Sequence, residues 1–455
     1  MSLLRYPEYK DSGVEWLGRV PAHWQVARLK AAITSCKNGI WGEEPKGDDS
    51  DIDCVRVADF DRARLVVDGI VPTQRSVTQS ERAGRTLRRG DLLLEKSGGG
   101  ERQSVGQVVL YDRDEPAVCS NFVAKVTLAE GMDSRYWMYQ HAAAYAVGVN
   151  VVAIKQTSGI QNLDQAQYFD ERGVFPSHVE QVEIARFLDR ETAKIDALIA
   201  EQEKLLALLT EKRQATISHA VTRGLDPNAP MKDSGIPWLG EVPAEWEILP
   251  LKRDLAFLTS GSRGWAEHYS DEGALFLRIG NLTRDSVELD LSDVQRVEPP
   301  EGSEGERTRV STGDVLFSIT AYLGSVAVVP DDFETAYVSQ HVALARLRGK
   351  HFLPKWIGYA TLSRLGMTYL ANQGYGGTKV QLSLDDIACL PLTAPSLPEQ
   401  QATLDFLEKE IRKLDVVRAE SEAAIRLLRE RRGALIATAV TGQIDVRGAV
   451  EPEAT

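Results

Sequence analysis

Four glycine-bearing stretches carry residue types that could grip an acidic or hydrogen-bonding partner. In the first half of the chain they are Lys96-Ser97-Gly98-Gly99-Gly100-Glu101-Arg102-Gln103-Ser104 and Lys155-Gln156-Thr157-Ser158-Gly159. In the second half they are Ser318-Ile319-Thr320-Ala321-Tyr322 and Gln373-Gly374-Tyr375-Gly376-Gly377-Thr378-Lys379. Glycine lets a backbone approach closely, and Lys, Arg, Ser, Thr and Gln supply the donors that phosphate oxygens and base edges accept. The candidate contact residues are Lys96, Ser97, Arg102, Gln103, Lys155, Thr157, Ser318, Thr320, Tyr322, Tyr375, Thr378 and Lys379. Any one of these stretches is as readily an ordinary surface turn. Comparable stretches in both halves point to a shared role. Two arginine groups (Arg82, Arg85, Arg88, Arg89 and Arg307, Arg309, Arg346, Arg348) either add positive charge or form solvated faces balanced by acidic neighbours.

Patterns that carry chemistry of their own do not occur. The sequence has no phosphate-binding GxxxxGK[ST] and no GxGxxG opening a strand–helix unit. It has no Asn/Asp-Pro-Pro-Tyr/Phe of amino-methylating enzymes; Glu298-Pro299-Pro300-Glu301 is not one. Asp91, Glu95 and Lys96 lack the spacing of a nuclease carboxylate–lysine triad. The seven histidines are dispersed without metal-ligand spacing. The four cysteines form no CxxC pair, which reads as reduced thiols and not as a disulfide frame. No catalytic residue, metal or cofactor is expected in this chain.

Composition sets the outer limits. The chain has 455 residues, 43% apolar and 26% charged, ordinary values for a soluble globular protein of two to four domains. No apolar stretch is long enough to cross a membrane, and the first ten residues have no apolar run of a secretory signal. The net charge of −13 argues mildly against nucleic acid as a partner. It is a sum over all faces, however, and local basic patches can coexist with it. It is the best support for the alternative reading, a protein-binding scaffold with two divergent lobes.

The elements that must position the four stretches are written twice. Asp11-Ser12-Gly13-Val14-Glu15-Trp16-Leu17-Gly18 recurs, 222 positions on, as Asp233-Ser234-Gly235-Ile236-Pro237-Trp238-Leu239-Gly240, and Val20-Pro21-Ala22-His23-Trp24 as Val242-Pro243-Ala244-Glu245-Trp246. The same shift pairs Arg56 with Arg278. A second block repeats at a shift of 219: Pro176-Ser177 with Pro395-Ser396, Glu180-Gln181 with Glu399-Gln400, Ile195-Asp196 with Leu414-Asp415, Glu211-Lys212-Arg213 with Glu430-Arg431-Arg432. Between these anchors the sequences diverge, apart from islands such as Gly90-Asp91-Leu92-Leu93 against Gly313-Asp314-Val315-Leu316, and Trp137 against Trp356. Uniform drift after duplication would have blurred the anchors as well. One scaffold that carries two different bodies suggests one architecture reading two different things.

The closing blocks predict long helices. From His178 to Thr222 there is no proline or glycine, and apolar residues recur every seven. The expected seam is Leu188, Ile195, Leu198, Gln202, Leu205 and Leu209 in the first copy, and Leu407, Leu414, Val417, Ser421 and Leu428 in the second. Gln202 and Ser421 make a polar layer that would fix register. Ser177 with Glu180 reads as a capping box, and Gly224 and Gly442 as stops. Gly433 should weaken the last turns of the second helix. A helix of about 45 residues would be about 65 Å long and cannot bury its stripe alone. The obvious partner is the other copy, antiparallel. Both bodies look β-rich, with runs such as Val108-Val109-Leu110-Tyr111 and Val326-Ala327-Val328-Val329.

Lys10-Asp11-Ser12-Gly13-Val14-Glu15-Trp16-Leu17-Gly18 resembles the opening of type I restriction–modification specificity subunits. So do Gly224-Leu225-Asp226-Pro227, Gly313-Asp314-Val315-Leu316-Phe317-Ser318 and Pro398-Glu399-Gln400-Gln401, and the likeness spans nearly the whole chain. The resemblance implies an α+β fold: two β-rich target-recognition domains joined by two long antiparallel coiled-coil helices, in a pseudo-two-fold internal repeat. The implied divisions are an opening segment 1–24, target-recognition domain one 25–175, central spacer helix 176–222, a linker 223–246 repeating the opening, target-recognition domain two 247–394, C-terminal spacer helix 395–441 and a tail 442–455. Each domain would read half of a bipartite site in double-stranded DNA. The helices would set the spacing and dock two methyltransferase subunits, optionally joined by two restriction subunits. Those partners would bring S-adenosylmethionine, Mg2+ and ATP, and the setting would be cytoplasmic, with no membrane. Body one departs from the pattern at Leu94-Glu95, where body two has Phe317-Ser318, and at His178-Val179, where the second copy has Leu397-Pro398.

Overall fold

The computed structural model describes residues 4–448 apart from Asp68, Ile70, Glu101, Arg102, Ser158, Ser262, Pro300, Glu301, Gly377, Thr378 and Lys379. The chain forms two compact units. One is Met1–Gln202 with Ala423–Thr455, and the other is Glu203–Glu422.

In the first unit the opening segment makes a hairpin, Tyr9–Asp11 against Arg19–Pro21. The body is closed by Gln25–Arg28 pairing antiparallel with Arg172–Phe175. Its main sheet runs in the order Ile33–Asn38, Val123–Leu128, Leu92–Glu95, Val108–Leu110, Val66–Val67, Phe60–Asp61. A second sheet has Asp51–Val55 between Ala117–Cys119, to which it is parallel, and Gln74–Ser76. The run Leu92-Leu93-Leu94 shows why this strand reads as continuously apolar. Alternate side chains leave opposite faces of a strand. Leu92 and Leu94 enter the core around Trp24 and Trp137, and Leu93 enters the one around Val109, Tyr111 and Val123. Both faces are buried, so no polar alternation survives.

The second unit repeats this plan. Met231–Asp233 pairs with Glu241–Pro243, and Glu247–Pro250 with Pro391–Ala394. The main sheet order is Leu255–Ser260, Val342–Leu347, Val315–Ser318, Val326–Val328. Ala274–Leu277 and Ala336–Val338 again form the parallel pair of the second sheet. Val315 and Phe317 face one core and Leu316 the other. The bodies also hold helices that the alternating runs do not announce: Ser134–Ala146 in the first, and Pro354–Leu362 with Arg364–Gln373 in the second. The isolated sequence islands Trp137 and Trp356 are the fully buried centres of those helices.

The repeated anchors are the bonds that tie each body to its long helix. The Trp24 indole N–H donates to Glu180 Oε1 (3.1 Å), and that of Trp246 to Glu399 Oε1 (3.0 Å). The Gln181 side chain accepts from Asp133 N (3.0 Å) and donates to Pro176 O (3.0 Å). Gln400 does the same with Leu353 N (2.9 Å) and Pro395 O (3.0 Å). These amides and indoles are buried, and an unmet partner there costs about 1–3 kcal/mol, so their identity is held in both copies.

The long helices are His178–Arg223 and Leu397–Val440, of 46 and 44 residues. Ser177 and Glu180 form the expected box (Glu180 N to Ser177 Oγ, 3.3 Å; Ser177 Oγ to Glu180 Oε2, 2.9 Å). The stops Gly224 and Gly442 take φ of 74° and 72°, the left-handed region glycine enters freely. In the first unit Ile184, Ala185 and Leu188 share a core with Ile436, Ala439 and Val440, and Asp196 pairs with Arg432. The start of one helix therefore runs antiparallel to the end of the other. The second unit mirrors this: Leu404, Leu407 and Ile411 share a core with Ile217, Ala220 and Val221, and Asp415 pairs with Arg213.

The seam needs one correction. Leu188, Ile195, Leu407 and Ser421 are buried, and Gln202, Leu205, Leu209, Leu414 and Leu428 are half-buried. Leu198 is 54% and Val417 37% exposed, so neither belongs to the seam. Both lie three residues after a stripe position, whereas the second stripe falls four residues after it. That stripe runs through Thr192, Ile199, Leu206, Arg213 and Ala220, and through Ile411, Ile425, Arg432 and Ala439. Leucine at the three-residue position suggested the wrong row, and the true row hides a threonine and two arginines.

Candidate nucleic-acid interface

In the first body, Lys96 follows the Leu92–Glu95 strand directly, and Ser97–Gly98 then pairs with Ile160–Leu163, which pairs in turn with Ile154–Thr157. The two stretches singled out in this half therefore lie on one small antiparallel sheet, with Ser97 and Lys155 both opposite Asn162. Lys155 is exposed, and its ammonium sits 2.6 Å from Asp164 Oδ2. Ser97 is buried and its hydroxyl donates to Asn162 Oδ1 (2.7 Å), a structural role and not a free contact. Gln103 is exposed, with its amide oxygen turned to the Arg62 guanidinium. Arg62 also donates to Gln107 Oε1 (2.6 Å) and pairs with the buried Glu95 (3.0 Å). Arg102 lies outside the described residues, as does the Thr157 side chain.

In the second body a similar convergence occurs. Thr320 and Tyr375 each form a β-bridge with Gln381, so the Ser318–Tyr322 stretch and residues 373–376 meet at Gln381. Tyr322 and Tyr375 are more than half exposed. The Arg284 guanidinium stands 5.9 Å from the Tyr322 ring centroid. Ala321 holds φ of 65°, a costly conformation for alanine, in the middle of this loop. Ser318 and Thr320 are buried: the Ser318 hydroxyl donates to Thr320 O (3.1 Å), and Thr320 Oγ1 lies 3.2 Å from His341 Nδ1. They shape the loop, and the groups it exposes are the two tyrosines. Thr378 and Lys379 lie outside the described residues.

Three residues not singled out in the sequence stand here. Phe122 is 48% exposed, and its carbonyl accepts from Lys96 N (2.9 Å) and Ser97 N (3.2 Å), which places it beside both. At the matching place in the second body, the His341 carbonyl accepts from Ile319 N (3.0 Å). Arg284 is the third. Phe122 and His341 sit in the turns that lead into the Val123–Leu128 and Val342–Leu347 strands, where a lone aromatic beside an apolar run reads as core.

Most of the arginines flagged as clusters are engaged within the protein. Arg82 donates to Val77 O (2.9 Å) and Arg85 to Asn38 O (3.1 Å), and Arg89 bonds Asp112 and Asp114. Arg346 forks onto the buried Asp314 (2.8 and 2.7 Å). The Gly-Asp pairs are turns: Asp91 accepts from Arg88 N and Asp314 from Ser311 N, each at 2.7 Å. Burial pushes the Cys54 thiol up to about 11 and Cys119 to about 12, which makes both inert packing groups. Among the described residues no helix is long and apolar enough to cross a membrane.

The comparisons with known proteins bear on the fold and on the kind of protein this chain resembles. The model of the type I restriction modification DNA specificity domain matches residues 304–425. The chain is 21% identical over 349 residues to the type I restriction enzyme EcoBI specificity subunit of Escherichia coli, covering 74% of this chain and 71% of that one. It is 20% identical over 430 residues to a putative type I restriction enzyme MjaX specificity subunit of Methanocaldococcus jannaschii, covering 92% and 94%. Among solved structures, a chain from work on complex assembly and conformational transition of the type I R-M system superposes with a TM-score of 0.70 at 14% identity, over 92% of this chain and 98% of that one. The HsdS subunit from Thermoanaerobacter tengcongensis gives 0.50 at 14% identity, over 93% and 98%. At such identities the structures speak for the fold alone. Residues 304–425 match the type I restriction modification DNA specificity domain, and over most of its length the chain resembles type I restriction enzyme specificity subunits.

Proposed function

We infer that this chain is a DNA-sequence specificity subunit of a type I restriction–modification system. The observation that carries the reading is the pairing of a twice-built scaffold with two unlike surfaces. Both bodies bring two loops together at the same place on the same sheet, and they arm that place differently: Lys96, Phe122, Gln103 and Lys155 in one, Tyr322, Tyr375, Arg284 and His341 in the other. Residues 25–175 and 247–394 would be the two target-recognition domains, each reading half of a bipartite site in double-stranded DNA. Lysines and arginines would meet phosphate, and the polar and aromatic side chains would meet base edges.

The chain recognises and does not catalyse. Methyl transfer and cleavage would belong to two methyltransferase subunits and, optionally, two restriction subunits, which would bring S-adenosylmethionine, Mg2+ and ATP in the cytoplasm. The long helices would dock those subunits and fix the gap between half-sites. The net charge of −13 fits a chain that shares the neutralisation of phosphate with its partners.

The deciding experiment is long-read sequencing of adenine methylation in cells that carry this chain with a cognate methyltransferase subunit, against cells that lack this chain. A split motif methylated only when the chain is present is the expected result, and it names both half-sites. No new methylation from an assembled complex would refute the reading.

A further inference from the structure

The second unit holds a half-enclosed cavity of about 280 Å³. Its walls include Trp265, Tyr269 and Phe276 on one side, and Arg278, Ser339 and His341 on another. Trp265 and Phe276 stack nearly parallel, with 17° between planes and 5.6 Å between centroids. Trp265 and Ser339 are more than nine-tenths buried, yet the Trp265 indole N–H and the Ser339 hydroxyl have no hydrogen-bond partner, nor does the buried Nε of Arg278. A buried polar group left unmet costs about 1–3 kcal/mol. Three lining one cavity mark it as a site for a ligand with hydrogen-bond acceptors.

The first body shows how this cavity came to be armed. There Arg56, the counterpart of Arg278, donates through its backbone N (2.7 Å), Nε (3.3 Å) and Nη2 (3.0 Å) to Asp59. In the second body asparagine stands in place of that aspartate. Asn281 keeps the backbone bond to Arg278 N (2.9 Å) but turns its amide nitrogen to Asp290 O and Asp293 O. Arg278 Nε is thereby left without a partner, while its Nη2 pairs with Asp293 Oδ2 (3.0 Å). The cavity also adjoins the candidate interface, because His341 lines it and bonds Thr320.

An indole N–H and an arginine N–H can only donate. The ligand must therefore be flat enough for aromatic walls and carry adjacent acceptors. Among the purines guanine alone presents two acceptors together on one edge, O6 and N7; cytosine, once unpaired, does so through O2 and N3, but sets only one ring against the aromatic wall where guanine sets two. We propose that this cavity receives a guanine turned out of the DNA stack, lying against the Trp265–Phe276 wall with its O6/N7 edge toward Arg278 and Ser339. The proposal rests on the DNA-recognition reading. Groove contact with a stacked base would not reach donors this deep, whereas a base turned out of the duplex can enter a pocket of this kind.

Two measurements on the full chain test it. Saturation-transfer NMR with 9-ethylguanine and 9-ethyladenine should show a guanine signal, weaker for adenine, that falls about fivefold or more in Arg278→Gln and in Ser339→Ala, with far-UV circular dichroism confirming that both variants fold. No guanine signal, or one that both variants leave intact, overturns the site. Next, a duplex carrying the methylated split motif is bound with an abasic residue placed opposite each guanine in turn. Because the cost of unpairing is then already met, one position should bind about tenfold tighter, and Arg278→Gln should abolish the gain. No such position, with binding otherwise normal, overturns the extrusion and leaves DNA recognition standing. If cells yield no split motif, the DNA reading fails, and the NMR result still decides the pocket.

Discussion

The two arginine–aspartate layers of the long helices allow a quantitative test. In the first unit Arg432 forks onto Asp196 (Nε to Oδ1 2.9 Å, Nη2 to Oδ2 3.4 Å), with side chains 13% and 29% exposed. In the second unit Arg213 pairs with Asp415, with 14% and 49% exposed. Asp196→Asn keeps the shape and removes the charge, and so strands a guanidinium that is almost covered. A hydrogen bond to a charged group is worth about 1.5–3 kcal/mol. Allowing for solvent at Asp196, the expected loss is about 1–2 kcal/mol. Asp415 is half in water, where pairs are worth about 0–1 kcal/mol, so Asp415→Asn should cost about half as much. The assay is native-state hydrogen exchange, which reads local opening energies in each helix separately. Asp196→Asn should speed exchange of the amides around 188–200 and 428–438, and Asp415→Asn those around 209–220 and 407–418. A double-mutant cycle with Arg432→Gln should return a coupling of about 1 kcal/mol. A coupling below about 0.3 kcal/mol, or equal costs at the two layers, would refute the claim that these pairs hold the antiparallel register.

Other expectations follow from single sites. Gly433 is exposed in the second helix with open space where a Cβ would stand, so Gly433→Ala should stabilise the chain by about 0.8–1 kcal/mol in urea unfolding, and a destabilised variant would show the site is not an ordinary helix interior. His141 is fully buried with Nδ1 2.8 Å from the Tyr168 hydroxyl, and burial lowers its pKa to about 4. The unfolded chain therefore binds a proton that the folded chain refuses, so stability is full above about pH 6.5 and falls by about 3 kcal/mol as pH drops toward 4; His141→Gln should flatten that slope, and an unchanged slope would assign the acid sensitivity elsewhere. Neutral substitution of Lys96, and of Lys379 in the loop whose remainder meets Gln381, should weaken binding to all DNA alike and lower the salt slope by about one each; loss confined to one base position would make them readers. Deleting 203–209 together with 422–428 removes one heptad from each helix, about 10 Å, and should shorten the gap in the methylated motif by about three base pairs at 3.4 Å each; an unchanged gap would end the ruler idea.

The scaffold was readable in the sequence because its constraints are local and strict. A capping box at Ser177 and Glu180, a proline-free run and a seven-residue rhythm specify a helix without reference to anything distant. The seam's second stripe departs from the expected one at Leu198 and Val417 because residue type does not stand for geometry. Leu198 looks like core and is not, whereas Arg213 and Arg432 look like surface and are covered. Charged residues enter a seam only with a partner, and Asp415 and Asp196 are more than two hundred positions away. The candidate interface was half legible for a related reason. Glycine with basic and hydroxyl residues marked the right loops, but not which of their side chains are consumed in holding them. Ser97, Ser318 and Thr320 are buried in bonds to neighbouring backbone or side chains, while Phe122, Arg284 and His341 enter from turns with no sequence mark of their own. The body helices were missed because the sheets' apolar runs dominated the pattern, and only the lone tryptophans at 137 and 356 marked them.

What differs between the copies is as instructive as what repeats. The bonds that hold the scaffold together recur in both copies: indole to glutamate at 24–180 and 246–399, glutamine to two backbone groups at 181 and 400, and, between the long helices, arginine to aspartate at 432–196 and 213–415, through different guanidinium nitrogens. Substitution at any of these exposes a buried polar group, so both copies are held to one solution. At the ends of the central strands the constraint is different. Glu95, bound by Arg62, stands where the second body has Ser318, and Phe122 where it has His341; Asp59 gives way to Asn281. Each exchange keeps the backbone hydrogen bond that fixes the turn or strand and changes what the side chain holds: the buried Glu95 holds Arg62, and Asn281 leaves Arg278 Nε unmet where Asp59 binds Arg56. A protein whose bodies merely filled space would change its packing residues first and its polar turn residues last. Here the packing pattern of the strands is shared, and the polar and aromatic groups around the loops are the ones replaced. That distribution is expected when the same frame must present two different surfaces to one kind of partner, and double-stranded DNA, uniform in its backbone and variable in its base edges, is such a partner.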